Sequence, residues 1–131
     1  MKFILSLGLV FFSVSMNAQD NEVMKKLEDG TVVINTTTLC NERGYRGSTP
    51  VNVYFKKDKV VKVETLRNTE SKNYFAKVTQ NLIPLYDGLK IAKAKKQTKL
   101  TVDGCSGATL STNAVQKNIA SAIEYYEKNK K

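Results

Sequence analysis

Apolar and β-branched residues form short runs in the first half of the chain, and each run predicts one element. Asp20 to Leu27 has the apolar spacing of a short amphipathic helix, which Gly30 ends. Thr31 to Leu39 is β-branched and predicts a strand. Val51 to Phe55 and Val60 to Leu66 flank the charged turn KKDK, so they predict a hairpin.

The period changes to a helical one in the second half. Phe75, Val78 and Leu82 recur at helical spacing, in a helix that Ser71 is expected to cap and that ends before Pro84. A basic stretch follows, and it is helical or irregular.

A short strand is predicted at Leu100 to Val102, followed by a helix that Ser111 or Thr112 is expected to cap. The apolar face of this amphipathic C-terminal helix is Val115, Ile119, Ala122, Ile123 and Tyr126. We therefore expect an α+β fold in which a small antiparallel sheet packs with helices.

The N-terminus has the pattern of a secretory signal peptide. Residues 1–19 contain one basic residue, an apolar run from Phe3 to Val14 and small or polar residues towards Ala18. This run is shorter than a membrane-spanning helix. We expect residues 20–131 to form one exported domain without a transmembrane span, located in the periplasm or at the extracellular face.

Charge and composition narrow the partners and the chemistry. Removal of the leader takes away only Lys2 among the charged residues and lowers the net charge from +9 to +8. A basic surface favours anionic partners, but the spread of lysines is typical of a solvated face, and we expect no nucleic-acid partner. The local basic run is Lys90, Lys93, Lys95, Lys96 and Lys99.

Histidine is absent, which excludes the Ser/His/Asp and Cys/His nucleophilic systems and the usual zinc ligands, and we expect no metal.

The two cysteines, Cys40 and Cys105, are expected to form a structural disulfide if the protein enters an oxidising compartment. Free thiols and a redox-active pair are the alternatives.

Asp103 to Thr112 is a turn of small residues that delivers a hydroxyl to the start of a helix. Gly104 and Gly107 permit tight backbone angles, and Ala108 adds little bulk. Free amides at a helix N-terminus stabilise a phosphate, and a phosphate on Thr109 would suit them. An ordinary strand-to-helix turn with a Ser/Thr cap is the alternative interpretation.

The segment DGCSGAT, which ends at Thr109, resembles the flavinylation motif of the FMN-binding domain family: Asp, two variable residues, Ser or Thr, Gly, Ala and Thr. Flavin-bearing periplasmic subunits of the sodium-pumping NADH:quinone oxidoreductase and of the Rnf complex belong to this family, as do many small exported domains. The resemblance implies that a flavin transferase uses FAD to esterify FMN phosphate onto Thr109.

The resemblance extends from Cys40 to Tyr126. GYRGSTPVNVYF is similar to the family's glycine-tyrosine loop and following strand, and the family's Glu-Thr pair becomes Glu70 and Ser71. The proline and glycine that often follow this pair are missing. The resemblance implies that Gly44, Tyr45, Glu70 and Ser71 are flavin neighbours.

Other motif positions take roles that the resemblance implies. Asp103 is the residue that the transferase requires, and it also suits turn formation. Ser106 donates a hydrogen bond to phosphate or closes its own loop, while Gly107 and Ala108 leave room for the modifying enzyme. The remaining expected cofactor contacts are Leu110 and Ser111. A bond from Cys105 to Cys40 would join two loops on the flavin side.

These features favour an extracytoplasmic flavoprotein that carries electrons between a membrane or periplasmic redox partner and another carrier. A flavin is the redox group, and the protein sets its orientation and access. Two alternatives stay open. One is a flavin-containing reductase or reductase subunit for an external acceptor, and the other is a basic binding module without flavin.

Overall fold

A computed structural model describes residues 23–102, 104–105 and 107–130. Within this part of the chain the fold is α+β, as predicted, with one antiparallel sheet of order β1-β2-β3-β4 and three α-helices. The strands are β1 (Met24–Lys26), β2 (Val32–Asn35), β3 (Val51–Lys56) and β4 (Lys59–Thr65). The helices are α1 (Lys72–Lys77), α2 (Ile91–Gln97) and α3 (Thr109–Asn129). A π-helical turn (Val78–Leu82) and a 3-10 turn (Ile83–Tyr86) lie between α1 and α2.

The predicted hairpin is confirmed as β3 and β4. Its strands pair from Val51 opposite Thr65 to Lys56 opposite Lys59. Lys57 and Asp58 form the two-residue turn with positive φ angles of 53° and 61°. This backbone twist matches the twist of the paired strands, as in other two-residue hairpins.

The predicted C-terminal helix is confirmed, and it packs its apolar face on the sheet. Alternate residues of β2 and β3 are buried because successive strand side chains point to opposite faces. Far along α3, the Tyr126 ring stacks on Phe55 with centroids 4.3 Å apart, and its hydroxyl donates to Asp58 Oδ1 at 3.1 Å. Fully buried core residues include Ile34, Val51, Val53, Phe55, Val60, Val78, Leu82, Val115, Ile119 and Ala122.

Two predicted elements differ from the structure. The described part of the expected helix from Asp20 to Leu27 contains strand β1, in which Met24 pairs with Ile34. Pairing satisfies the backbone groups along the edge of β2, which outweighs the weak helical preference of so short a segment. Leu100 to Val102 forms no strand; it pairs with no strand of the sheet, and the Leu100 carbonyl instead accepts a hydrogen bond from Gln116 Nε2 of α3 at 2.9 Å.

The helix boundaries also differ from the prediction. Ser71 occupies the N-cap position of α1, but its side chain makes no capping hydrogen bond. The helical path continues through Pro84, which lies in the first turn of the 3-10 segment, where a missing N–H costs little. Helix α3 starts at Thr109, so Ser111 and Thr112 lie inside its first turn and are not caps.

Candidate functional site

The N-terminus of α3 presents Thr109 to solvent at the end of a glycine turn. Gly104 and Gly107 have positive φ angles of 88° and 83°, and Ala108 is the N-cap residue without a side-chain cap. The Ala108 amide donates to the Cys105 carbonyl at 2.8 Å, which closes the turn directly before the helix. The first amides of an α-helix lack intrahelical acceptors, so this end of the 21-residue helix favours an anion.

The glycine turn is held in place by the helical segment that contains α1. A Cβ on Gly107 would lie 3.1 Å from Cε1 of Tyr74, so the turn packs directly on this ring. Asn81 Nδ2 donates to the Gly104 carbonyl at 2.9 Å, and the Cys105 thiol lies 3.7 Å from the Lys77 carbonyl. The position of Thr109 is therefore set by contacts outside its own helix.

A groove of about 690 Å³ opens beside Thr109. It is lined by the first turns of α3, by residues 42–43 and by residues 98–102 with 104–105, and we call the last two segments its walls. The volume falls within the usual range of small-molecule sites, which is roughly 300–1,000 Å³. This groove is the candidate ligand site.

The groove is basic. Arg43, Lys99 and Lys117 line it, and Glu42 is the carboxylate among its described lining residues. Glu42 forms an ion pair with Lys117 at 3.3 Å, and Arg43 and Lys99 add positive charge at the groove. Thr112 also lines the groove, and its buried Oγ1 has no hydrogen-bond partner among the described residues. These features suit a ligand with an anionic group at the Thr109 end.

Glu70 is a buried carboxylate that contacts the loop of residues 44–47, which follows the groove-lining residues 42–43 in sequence. Glu70 is 8% exposed and accepts hydrogen bonds from the amides of Tyr45, Arg46 and Gly47 at 2.8, 2.6 and 3.0 Å. The Ser111 hydroxyl donates to Oε1 of the same carboxylate. Burial alone would raise the pKa of Glu70, but the hydrogen bonds from Ser111 and from the three amides hold it below its ordinary value of 4.5.

Gly44 brings this loop against the carboxylate and the helix. A Cβ at this position would lie 2.5 Å from Glu70 Oε1 and 3.2 Å from the Ser111 Cα. Only a residue without a side chain allows this approach. The loop is closed by a hydrogen bond from the Gly44 amide to the Gly47 carbonyl at 2.7 Å.

The structure brings several of the predicted site residues together and separates others. Gly44, Glu70 and Ser111 form one cluster, and the Tyr45 backbone joins it while the Tyr45 side chain is 74% exposed. Thr109 and Leu110 line the groove. Three more predicted residues are nearby: Gly107 and Ala108 in the turn, and Ser71 at the start of α1.

Some predicted residues lie outside the described part of the chain, and the two cysteines differ from the expectation. Asp103 and Ser106 lie outside the described residues, as does the predicted signal peptide. Cys40 and Cys105 are free cysteines in the structure, with Cys40 half-buried and Cys105 buried, so the expected disulfide is not formed there. No group of three or more His, Cys, Asp or Glu residues suited to a metal occurs in the described part of the chain.

The basic residues that line the groove could not be predicted from the sequence. Lys99 belongs to the basic run whose pattern is typical of a solvated face, and Arg43 and Lys117 belong to no motif. The proximity of Arg43 to the glycine-tyrosine loop was the one available signal. The contact of Tyr74 with Gly107 depends on tertiary packing, and no local pattern indicates it.

The fold and the site define a small α+β domain with a ligand groove at a helix N-terminus. The family model for the FMN-binding domain matches residues 44–124, which is more than half of the chain. This protein belongs to the FMN-binding domain family, and its cofactor is FMN. No curated protein and no solved structure matches the chain. Among residues 23–102, 104–105 and 107–130, no helix has the length and apolar character needed to cross a membrane.

Proposed function

We propose that this protein is an exported electron carrier that holds FMN as a phosphoester on Thr109. The observation that carries the proposal is the exposed Thr109 hydroxyl at the first position of α3, beside a basic groove and directly after a glycine turn. The match to the FMN-binding domain family over residues 44–124, a range that includes Thr109, supports the proposal.

The surroundings of Thr109 suit both an incoming phosphate and its ester. The helix N-terminus stabilises negative charge through its free amides, and Arg43 and Lys99 add positive charge along the groove. Thr109 itself is exposed, so its hydroxyl is accessible to a modifying enzyme.

The attachment is a phosphoryl transfer from FAD that a flavin transferase catalyses. The bond from Thr109 Oγ1 to the FMN phosphorus forms, the bond from that phosphorus to the AMP oxygen breaks, and AMP leaves with that oxygen. The transferase removes the hydroxyl proton. Outside the cytoplasm a covalent link keeps the cofactor at its site.

The groove provides the remaining environment of the cofactor, which supplies the electron-transfer chemistry when bound. Leu100 and Leu110 line the groove and are 53% and 56% exposed, so a flat apolar ring system would cover them. Positive charge from Arg43 and Lys99 favours a reduced, negatively charged cofactor.

Carriage of electrons fits the groove better than autonomous catalysis. Glu42, the carboxylate among the described lining residues, is paired with Lys117 at 3.3 Å and is not poised as a free acid or base. The partner that delivers or receives electrons is a membrane or periplasmic redox protein with an acidic surface, which complements the basic groove.

Intact mass tests this proposal directly. The full-length chain is co-expressed with a flavin transferase, and the wild type is compared with Thr109→Ala and with the matched control Thr101→Ala, an exposed threonine that also lines the groove. We expect an FMN-sized mass addition and visible flavin absorbance in wild type and in Thr101→Ala, but not in Thr109→Ala. An unmodified wild type would refute covalent attachment, and modification of Thr109→Ala would refute the position.

Cell fractionation of the same culture tests export. We expect the flavin-bearing protein in the periplasmic or secreted fraction, with a mass that corresponds to residues 20–131. Recovery of the full-length mass from the cytoplasm alone would contradict this part of the proposal.

A further inference from the structure

We propose that Glu70 is a positioning residue whose carboxylate ties the loop at residues 44–47 to the first turn of α3, and thereby sets the Arg43 wall of the groove relative to Thr109. The inference rests on the proposed function, because Thr109 is taken as the flavin acceptor. It assigns to Glu70 a different role from the direct flavin contact that the family resemblance implied.

The Glu70 carboxylate accepts four hydrogen bonds from described residues. Oε1 accepts from the Tyr45 amide and from the Ser111 hydroxyl, and Oε2 accepts from the amides of Arg46 and Gly47. Each oxygen therefore has two donors. Because the residue is 8% exposed and its acceptor sites are occupied, it has little capacity left for a ligand.

The donors belong to two separate segments of the chain. Tyr45, Arg46 and Gly47 follow Arg43, which lines one wall of the groove, and Ser111 is a buried residue of α3 two positions beyond Thr109. A shift of either segment would break a charge-assisted hydrogen bond, which is stronger than one between neutral groups. Glu70 thus couples the wall to the acceptor helix.

The arrangement requires a carboxylate of this length. Glutamine has the same shape but only one acceptor oxygen, so its NH2 group must face at least one of the amide donors. Aspartate is one methylene shorter and does not span the distance. The Ser111 hydroxyl differs from the backbone amides because it can accept as well as donate. It can therefore accept a hydrogen bond from the NH2 group of a glutamine at position 70.

The close approach at Gly44 supports this coupling. The position that a Cβ would take there is within van der Waals distance of both sides, 2.5 Å from Glu70 Oε1 and 3.2 Å from the Ser111 Cα. The loop, the carboxylate and the helix are therefore in direct contact, and a change at any of them moves the others.

The experiment uses the full chain and compares wild type with Glu70→Gln, Ser111→Ala and the control Glu124→Gln. Glu124 is an exposed residue of α3 whose carboxylate pairs only weakly with Lys128, at 3.8 Å. Amide hydrogen exchange is measured without flavin, and the steady-state kinetics of flavin transfer onto each variant are measured with a flavin transferase and FAD. Circular dichroism at the assay temperature establishes that each variant is folded.

We expect Glu70→Gln to speed exchange at the amides of residues 45–47 about tenfold, while the buried part of α3 exchanges as in wild type. The KM of the transferase for this variant should rise by a similar factor with kcat retained, because only a fraction of molecules presents Thr109 correctly. Ser111→Ala should leave exchange at 45–47 near the wild-type rate and raise the KM less. Glu124→Gln should behave as wild type in both measurements.

Two results would overturn the inference. Wild-type exchange at residues 45–47 in Glu70→Gln would show that the carboxylate does not hold the loop, and faster exchange with unchanged KM would show that the loop does not position Thr109. Failure of the proposed function can be told apart from failure of this inference. A wild type that accepts no flavin would refute the proposed function, while the exchange measurement would still show whether Glu70 holds the loop.

Discussion

Asn118 Oδ1 accepts a hydrogen bond of 2.7 Å from Thr36 Oγ1 across the interface between α3 and the sheet. Both residues are almost completely buried. Thr36 Oγ1 also accepts from the Val51 amide at 2.9 Å, and Asn118 Nδ2 donates to the Ala114 carbonyl at 2.9 Å. This polar link fixes how far along the sheet the helix lies, and therefore where Thr109 emerges.

Asn118→Ala is expected to destabilise the fold by about 2 kcal/mol, because it leaves buried groups without partners and opens a small cavity. Urea unfolding followed by circular dichroism measures the loss. Asn113→Ala, an exposed change on the same helix, is the control and should stay within about 0.5 kcal/mol of wild type. Equal stability of Asn118→Ala and wild type would show that this link contributes nothing.

Glu70 makes the stability depend on pH in a predictable direction. Its pKa in the folded state is below the ordinary value of 4.5, since the hydrogen bonds from Ser111 and the loop amides outweigh burial. The unfolded chain therefore binds this proton more readily, so the contribution is complete above about 4.5 and is lost as the pH falls through the folded-state pKa.

Urea unfolding of wild type and Glu70→Gln at about pH 7 and about pH 3 tests this dependence. The difference in unfolding free energy between the two proteins should be large at neutral pH and should shrink in acid. Glu124→Gln provides the control, since its carboxylate is exposed. A difference that is the same at both pH values would contradict the expected ionisation.

A comparison of Gly107 with Gly88 separates the energetic cost of backbone strain from the cost of disturbed packing at the glycine turn before Thr109. Both have positive φ angles, of 83° and 78°, but only a Cβ at Gly107 meets a neighbour, the Tyr74 ring at 3.1 Å. Gly88→Ala should cost about 1–2 kcal/mol from backbone strain alone. Gly107→Ala should cost more, because the turn or the ring must also move.

Chemical unfolding of both glycine variants gives the comparison, and intact mass after co-expression with a flavin transferase gives the effect on Thr109. We expect lower flavin incorporation for Gly107→Ala and wild-type incorporation for Gly88→Ala. If the two variants lose the same stability and incorporate flavin equally, the contact with Tyr74 does not position the glycine turn.

Some elements could be predicted from the sequence and others could not. The hairpin was predictable because Lys57 and Asp58 join two β-branched runs, and the face of α3 was predictable from its period. Strand β1 was not, because the apolar spacing of its segment also suits a short helix and its strand conformation depends on pairing with β2. The Glu70 cluster was identified only as a set of motif positions, since the bond from Ser111 spans 41 residues.

Lys99 provides the last prediction, which concerns the charge of the groove. It lines the groove beside Thr109, whereas Lys93 is exposed on α2 outside the lining. Removing one positive charge near the cofactor should slow its oxidation by a small anion, and the Coulomb energy of about 1 kcal/mol at 4 Å in water sets an effect of about fivefold. Lys99→Gln and Lys93→Gln are the matched pair.

Stopped-flow oxidation of the flavin-loaded, reduced proteins by ferricyanide measures this effect. At low ionic strength the second-order rate constant should be about fivefold lower for Lys99→Gln than for wild type, with Lys93→Gln close to wild type. In about 1 M salt the three rates should converge, because screening then acts within about 3 Å. Equal rates for the two lysine variants at low salt would mean that Lys99 is not part of the electrostatic environment of the cofactor, and would place the cofactor away from this groove.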